Sequence, residues 1–283
     1  SYCASSVMGI LRRRSIDNVI QELVETKNKY PFIELINFFD DTFFGGKDEF
    51  FEEFSKKYKK RIGLPFHAQC SPTTITEKKL ESLIEAGLVF TEMGIQTGSS
   101  RIKRMYRRPT PNKKILGVAR LIDKYRHKLL APDYHIILDN PWERQEDVRA
   151  TLDVILKLPR PYRLQISSLV LFPGTELHKK AKAEGLIKDE IREIYRKPFL
   201  HPQGTFLNYL IYLAGFCYFP RGLLKLLSRK SISRVFNLGN SIKLYHILYW
   251  LTERIVLFKK GVISLTHGDL ARIRQYFLRQ KTI

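Results

Sequence analysis

The sequence has little cysteine: 283 residues contain only three, at positions 3, 70 and 217. An odd number of widely separated cysteines fits neither the disulfide framework of a small secreted protein nor the paired spacing of a structural zinc site. The seven histidines also lack the HxxxH spacing that places two metal ligands on one helical face. These absences argue against a zinc hydrolase and predict a reducing, cytoplasmic location.

Long hydrophobic runs are missing as well. The longest largely apolar stretch, residues 206–219, is shorter than the roughly 18 to 20 residues that a membrane-spanning helix needs. The first residues do not have the pattern of a secretory signal peptide. The sequence therefore predicts no transmembrane segment.

Acidic residues are scarce relative to basic ones. The chain has 49 Lys and Arg against 28 Asp and Glu, a formal charge of +21. Residues 188–283 carry 17 basic and 5 acidic side chains, so this third alone contributes +12. Such an imbalance favours anionic partners, namely nucleic acid, phosphate-bearing substrates or an acidic membrane surface.

Residues 1–187 show alternating strand and helix patterns. Short apolar strands are predicted at 32–39, 64–70, 89–95, 133–138 and 163–171. Helices lie between them, with Ser15 as an N-cap, a capping box at Thr74 to Glu77 and a C-terminal Gly87. This alternation predicts parallel strands, in either an open doubly wound sheet or a (β/α) barrel.

The absence of a glycine-rich phosphate loop after the first strand favours the barrel. The predicted fold class is α/β, a partial (β/α) TIM-like barrel of parallel strands followed by an α-helical C-terminal region. We place the domain boundary between 1–187 and 188–283. In the second region, an apolar helical stripe predicts a helix packed on the barrel, with contact to an anionic membrane or a lipid substrate as the alternative; its members are Leu244, Ile247, Leu248, Leu251, Ile255 and Phe258.

Each predicted strand ends in polar or turn-forming residues. The carboxyl ends of barrel strands meet at one face, where active sites form. The alternative is that these residues cap helices and form turns, as Glu146 and Asp147 do in the first turn of a helix. The strand-end sequences are Asp40-Asp41, Cys70-Ser71-Pro72, Gln96-Thr97-Gly98-Ser99, Asp139 to Glu143, and Phe172-Pro173-Gly174-Thr175.

Cys70 and Cys217 have apolar neighbours and are interpreted as buried thiols. Cys3 differs, because it precedes the first helix on the side where the strand-end sequences lie. The amide of Gln96 and the hydroxyls of Thr97 and Ser99 can hydrogen-bond a ribose or a carboxylate. Ser99 is therefore a predicted cofactor-binding residue.

Several of these segments, in this order, resemble the radical S-adenosylmethionine enzymes and, within them, the cobalamin-dependent subclass. The resemblance covers residues 1–187. In that family a CxxxCxxC loop holds a 4Fe-4S cluster, which binds the amine and carboxylate of S-adenosylmethionine. The segments are "FFDDTFF", "ITEKKLESLIEAGL", "GIQTGSS", "DNPWERQED" and "FPGTELHKKAKAEGLI".

The resemblance makes Cys3 the last cysteine of the cluster loop. It therefore implies that the other two cysteines, the first barrel strand and a cobalamin-binding domain precede residue 1. Asp40 and Asp41 match the position near the methionyl amine, and Gln96 stands where many relatives have a glutamate near the ribose or carboxylate. Asp139 and the turn from Phe172 to Gly174 match the segments that border the adenine.

The function implied is reductive cleavage of S-adenosylmethionine followed, with cobalamin, by methylation or rearrangement of an unactivated substrate. The expected partners are an electron donor and a small-molecule or lipid-like substrate, and this chain alone is expected to be inactive. The alternative is a non-catalytic barrel or a membrane-associated binding protein. In that case the basic helical region 188–283 contacts an anionic membrane surface. Nucleic acid is not favoured, because no recognised nucleic-acid motif accompanies the charge.

Overall fold

The computed structural model describes residues 2–4, 13–40, 43–200, 202–236 and 242–266, with side chains of the last segment described from 244 to 256. Strands and helices alternate through the first two thirds of the chain. They are α1 (Ile16–Lys29), β1 (Ile36–Phe38), α2 (Asp48–Arg61), β2 (Phe66–Cys70), α3 (Glu77–Ala86), β3 (Leu88–Gln96), α4 (Ser100–Met105), α5 (Asn112–Lys124), β4 (Asp133–Leu138), α6 (Gln145–Ile155), β5 (Arg163–Ser168) and α7 (Glu176–Ala183). A short π-helical turn and further helices follow: Ile191–Tyr195, α8 (Phe206–Ala214), α9 (Arg221–Leu227), α10 (Lys230–Phe236) and α11 (Ile242–Thr266).

The five strands form one parallel sheet in the order β1-β2-β3-β4-β5. Each strand therefore pairs with the next one along the chain, and the intervening helices make the crossovers. The predicted fold class, a partial parallel α/β barrel followed by a helical region, is confirmed.

Helix ends follow the local sequence closely, with one correction. Ser15 caps α1 by accepting a hydrogen bond from the Asn18 amide, and Gly87 ends α3 with a φ of 119°. The capping box predicted at Thr74 is wrong, because Thr76 accepts the hydrogen bond from the Lys79 amide. The Thr74 carbonyl accepts instead from the Lys79 ammonium, which holds it outside the helix.

The two faces of the sheet differ in chemistry because side chains alternate along each strand. One face is covered by helices and buries apolar side chains such as Ala68, Met93 and Ile136. The other, which we call the open face, carries polar side chains from successive strands. These are Asn37, His67, Gln69, Glu92, His135 and Gln165.

The C-terminal helices join the same hydrophobic core as the barrel. Phe206, Leu210 and Ile211 of α8 are buried together with side chains beneath the sheet. The Tyr162 hydroxyl donates to the Ala214 carbonyl at 2.9 Å, which ties the start of β5 to the end of α8. The helical character predicted from residue 188 is confirmed for the described residues, while the domain boundary stays a prediction.

The packed face of α11 differs from the predicted stripe. Tyr245, Leu248 and Tyr249 face the core, and the Tyr249 ring lies 4.7 Å from the ring of Tyr212 on α8. The tyrosines of α8 offer ring edges and hydroxyl groups that suit tyrosines better than aliphatic side chains. Of the predicted stripe, the exposed members are Leu244, Ile247, Leu251 and Ile255, and the Phe258 side chain lies outside the described residues.

None of the helices, as far as the chain is described, combines the length and the apolar character needed to cross a lipid bilayer.

Candidate functional site

The strand-end residues predicted as a site lie at one edge of the sheet. Asp40 follows β1, Gln96 ends β3, Asp139 follows β4 and Gly174 lies in the turn after β5. All strands are parallel, so their carboxyl ends share this edge. Asp41, predicted beside Asp40, lies outside the described residues.

A cavity of about 450 Å³ opens at this edge, and we call it the edge cavity. It brings Cys3 together with Gln96, two residues that are far apart in the sequence. The segment after Cys70 and the segment after α4 complete the walls. Its polar lining side chains include Cys3, Gln69, Ser71, Thr73, Glu92, Gln96, Lys103, Arg107, Arg108 and His135.

Gln96 is held in an unusual backbone conformation at the cavity. Its φ is 64°, in the left-handed region that non-glycine residues rarely occupy. A Cβ on Gly94 would lie 2.3 Å from the Gln96 amide nitrogen, so the glycine leaves room for the side chain to fold back. The amide therefore lies on the cavity wall, where it can donate or accept a hydrogen bond.

Basic residues within and just after α4 form a wall of the cavity that the sequence prediction missed. Lys103 is 4% exposed and donates to the Thr110 carbonyl at 2.8 Å. Burial lowers the pKa of Lys103 to about 8. The Arg108 guanidinium lies over the Tyr2 ring at 5.6 Å. The dense run "RIKRMYRR" is the sequence signal for this wall, which suits a carboxylate or a phosphate.

Ser99 performs a role within the fold rather than at the cavity. Its hydroxyl accepts from the Ile102 amide at 3.3 Å, which caps α4, and donates to the Asp147 carboxylate. Burial alone would raise the pKa of Asp147, but hydrogen bonds from Arg101 and Ser99 hold it below its ordinary value. Ser99 is 4% exposed and fixes α4 against α6.

Asp139 connects the sheet to the C-terminal region. One carboxylate oxygen accepts from the Gln203 amide and the other from the Asn208 side chain, each at 2.8 Å. Its backbone is left-handed, with a φ of 60°. Both oxygens of the predicted adenine-bordering residue thus bind the segment leading into α8.

The turn after β5 combines a fixed backbone with an exposed ring. The Thr175 hydroxyl donates to the Phe172 carbonyl at 2.7 Å and accepts from the His178 amide, which caps α7. Gly174 supplies the positive φ of 84° that this turn requires. Phe172 is 44% exposed and is available to stack on a planar ligand.

The cysteines differ in their surroundings. Burial raises the pKa of the Cys70 thiol to about 12, and its strand position points it to the helix-covered face. The Cys217 thiol donates to the Tyr162 carbonyl at 3.1 Å. Both agree with the interpretation as packed thiols. Cys70 also lines the edge cavity but is buried, whereas Cys3 is partly exposed there.

The described residues hold no group of three His, Cys, Asp or Glu side chains suited to a metal ion. They therefore do not by themselves fit a 4Fe-4S cluster, which needs three converging thiolates. The edge cavity offers groups that suit a carboxylate or a hydroxyl-bearing ligand. Gln96 offers an amide, and Lys103 and Arg108 offer cationic donors for a carboxylate.

A parallel α/β sheet with a polar cavity at the carboxyl ends of its strands is the arrangement of barrel enzymes. Residues 1–152 of the 283 match the family described as the Radical SAM superfamily, which is more than half of the chain. The chain belongs to this superfamily, whose members are enzymes.

A curated relative, tRNA-2-methylthio-N(6)-dimethylallyladenosine synthase of Corynebacterium urealyticum, is 36% identical over 90 residues, which cover 30% of this chain and 16% of that protein.

Among solved structures, the radical S-adenosylmethionine methyltransferase TsrM from Kitasatospora setae, with cobalamin and a [4Fe-4S] cluster bound, has a TM-score of 0.50 at 16% identity. That likeness of fold covers 61% of this chain and 34% of TsrM. Coproporphyrinogen III oxidase (HemN) from Escherichia coli, a radical SAM enzyme, has a TM-score of 0.48 at 17% identity over 64% of this chain and 42% of its own. The chain thus spans less than half the length of each of these relatives.

Proposed function

We propose that the edge cavity is the S-adenosylmethionine site of a radical enzyme. The observation that carries the proposal is the meeting of Cys3, Gln96 and the basic wall in one cavity at the carboxyl edge of the sheet. Lys103 and Arg108 bind the methionyl carboxylate, and Gln96 binds either that carboxylate or the ribose. Asp40, which follows β1 at the same edge of the sheet, is proposed as the contact of the methionyl amine. Asp41, outside the described residues, stays a prediction from the sequence.

The turn from Phe172 to Gly174 borders the adenine in this proposal, with the exposed Phe172 ring as the stacking surface. Asp139 acts indirectly in this proposal, because its carboxylate holds the segment that leads to α8 and does not contact the nucleotide itself. Ser99 likewise acts through its cap on α4, the helix that carries Lys103.

Cys3 is proposed as one of the three cluster ligands. Cys70 and Cys217 are packed within the fold and are not proposed as cluster ligands, so two further thiolates would be needed to complete the set. The cluster, when bound, supplies the electron that breaks the carbon–sulfur bond of S-adenosylmethionine.

For the reaction on the substrate, we propose methylation or rearrangement of an unactivated carbon with the help of cobalamin. The substrate is a small molecule or is lipid-like. The support is the fold likeness to TsrM, a methyltransferase with cobalamin bound. The curated tRNA-modifying relative matches 90 residues, so that match supports the family more than a substrate.

The test is anaerobic iron–sulfur reconstitution of this chain and of the complete gene product that contains it. The gene product is expected to hold a cluster and to form 5′-deoxyadenosine from S-adenosylmethionine under a strong reductant. Cys3→Ala should abolish both, whereas Cys217→Ala, the matched control, should retain both. Turnover by the Cys3→Ala variant of the gene product would contradict the proposal.

Gln96→Ala and Lys103→Met test the nucleotide site separately from the cluster. Each is expected to weaken S-adenosylmethionine binding by about tenfold, the loss of one hydrogen bond to a charged group. Isothermal titration measures the affinity. Unchanged binding in both variants would place the cosubstrate elsewhere.

A second role that we propose is peripheral contact of the C-terminal helices with an anionic membrane, at a cytoplasmic surface. The observation that favours it is the exposed apolar face of α11, where Leu244, Ile247 and Ile255 are 52%, 55% and 66% exposed. The surrounding region carries the excess of basic residues that attracts anionic lipid. A lipid-like substrate would be reached from such a surface.

Co-sedimentation with vesicles tests this second role. The protein should pellet with phosphatidylglycerol vesicles at low salt and stay in solution with phosphatidylcholine vesicles. Replacing Ile247 and Leu251 together by Asp should abolish pelleting. Phe32→Asp, an exposed apolar side chain before β1, is the control. Equal recovery with both lipids would exclude the contact.

A further inference from the structure

The carboxylate of Glu92 lies at the centre of the open face, where two cavities meet. It lines the edge cavity and also a second cavity of about 550 Å³ toward the amino ends of the strands. The second cavity has mainly aromatic and aliphatic walls, and its polar side chains are Asn37, His67, Glu92 and Arg163. Its lining side chains include Leu35, Phe39, His67, Val89, Phe90 and Arg163.

One oxygen of Glu92 is already hydrogen-bonded. His135 Nε2 lies 2.9 Å from Glu92 Oε2, and an ionised carboxylate only accepts, so Nε2 of His135 carries the proton. Gln69 Nε2 approaches the same oxygen at 3.5 Å. These contacts hold the carboxylate in place on the face.

The other oxygen faces His67. His67 Nε2 lies 3.5 Å from Glu92 Oε1, yet this buried nitrogen makes no hydrogen bond to any described group. His67 is 5% exposed, and burial lowers the pKa of its imidazole. In the tautomer with its proton on Nδ1, a neutral His67 presents a lone pair at Nε2, and a donor placed between Nε2 and Glu92 Oε1 would then bind both atoms.

Among the described residues, the ion-pair contacts of Glu92 are to His67 and His135, and no Lys or Arg lies within salt-bridge distance. The other titratable groups around it are Asp133 and Arg163, and Lys103, Arg107 and Arg108 line the edge cavity with it. Arg163 donates to Asp133 at 2.5 and 3.0 Å and lies over the Phe90 ring, which pairs the two charges with each other. The Phe90 ring lies 4.9 Å from the His67 ring, and Phe39 lies on the other side at 6.5 Å.

We propose that Glu92 Oε1 and His67 Nε2 form a binding site for an organic amine, with its ammonium group between them and its apolar body in the second cavity. A primary ammonium has the donors that both acceptors require, and aromatic walls favour a cation. The site shares Glu92 with the edge cavity, and its interpretation as a substrate site rests on the proposed function.

The probe is benzylamine, with benzyl alcohol as its uncharged counterpart, measured against the full chain by histidine side-chain NMR. Benzylamine is expected to shift the imidazole signals of His67 and His135 saturably at pH 7.5. His178, which pairs with Glu190 beside α7, should not respond. Benzyl alcohol should bind at least about tenfold more weakly.

Glu92→Gln removes the charge and keeps the size, and it should weaken benzylamine binding by about tenfold or more. His67→Phe keeps a ring without the lone pair and serves as a second variant, and Glu81→Gln on the surface of α3 is the control. Equal affinity for the amine and the alcohol, unchanged affinity in Glu92→Gln, or no saturable shift up to about 20 mM would overturn the proposal. S-adenosylmethionine binding is measured on the same samples. A failure of the amine site can then be distinguished from a failure of the proposed S-adenosylmethionine site.

Discussion

Individual residues in this structure carry charges and conformations that their neighbours impose. Glu143 is an example of an altered charge. Burial raises its pKa to about 8, and the nearby Asp147 and Asp139 carboxylates contribute to a smaller extent. Its Oε1 is buried without a hydrogen-bond partner in the described part of the chain. Gly98 shows it for shape, because an added Cβ would lie 2.2 Å from the Ala150 carbonyl oxygen.

Glu143→Gln is expected to stabilise the protein at alkaline pH. The folded-state pKa lies above the ordinary 4.5, so the folded form binds more protons than the unfolded form between pH 4.5 and about 8. Stability therefore falls as pH rises through this window. The glutamine removes the dependence, with a gain on the order of 1–3 kcal/mol at pH 8 and little change below pH 4.5. Urea unfolding at several pH values measures it, and parallel curves for both proteins would refute it.

Gly98→Ala is expected to lower the free energy of unfolding by about 1–3 kcal/mol, because the methyl group collides with the α6 backbone. Gly117→Ala is the matched control. Gly117 lies within α5 with no atom within 4 Å of an added Cβ, so alanine should stabilise by about 0.5–1 kcal/mol. Chemical denaturation compares the two. A neutral Gly98→Ala would mean that the contact with α6 relaxes freely.

At the scale of elements, the sequence pattern predicted most of the helices and strands. β4 spans Asp133–Leu138 as expected, since its alternating apolar residues are all buried on one face. α4 was missed because six residues are too few for a helical period to appear, and it depends on the Ser99 cap. β1 has only three of the predicted residues, because on the described chain it pairs with β2 alone.

The candidate site was predictable where chain order and parallel pairing determine position. Cys3 and Gln96 were expected at one edge and do line one cavity. The roles of Ser99 and Asp139 depend on partners 48 and 69 positions away, which no local pattern reveals. The packed face of α11 was predicted wrongly for the same reason. Apolar residues occur on all sides of this helix, and contacts with α8 determine which of them are buried.

Asp139→Ala is expected to loosen the connection between the sheet and α8. It removes both acceptors for Gln203 and Asn208, at a cost of about 1–3 kcal/mol. Amide hydrogen exchange should speed up at 203–208. Asp153→Ala, an exposed acid on α6, should change stability by less than about 0.5 kcal/mol. Unaltered exchange at 203–208 would show that Asp139 does not hold this segment.

At the scale of the whole molecule, one hydrophobic core joins the sheet, its helices and the C-terminal helices. Side chains from α8 and α9 are buried in the same cluster as those of β2, β3 and β4. The region after residue 188 therefore contributes to the stability of the barrel itself. A core shared in this way favours a single cooperative unfolding transition.

Leu210→Ala on α8 tests this cooperativity. Leu210 is 1% exposed, and its truncation should destabilise the whole protein by about 2–5 kcal/mol while leaving one transition. Leu251→Ala on the exposed face of α11, at 42% exposure, should cost less than about 0.5 kcal/mol. Two separate transitions, with only the later helices affected, would show that 1–187 and 188–283 are independent domains.

The order of the strands has a consequence for synthesis on the ribosome. Each strand pairs with the one made just before it, so every new strand and helix can add to an edge that has already emerged. No strand in the described sheet has to wait for a later one to separate two neighbours. Assembly can therefore follow translation from β1 to β5, and α8 then covers the apolar surface of α6. Nascent chains stalled after β5 should already resist protease in the sheet while α6 remains open to attack.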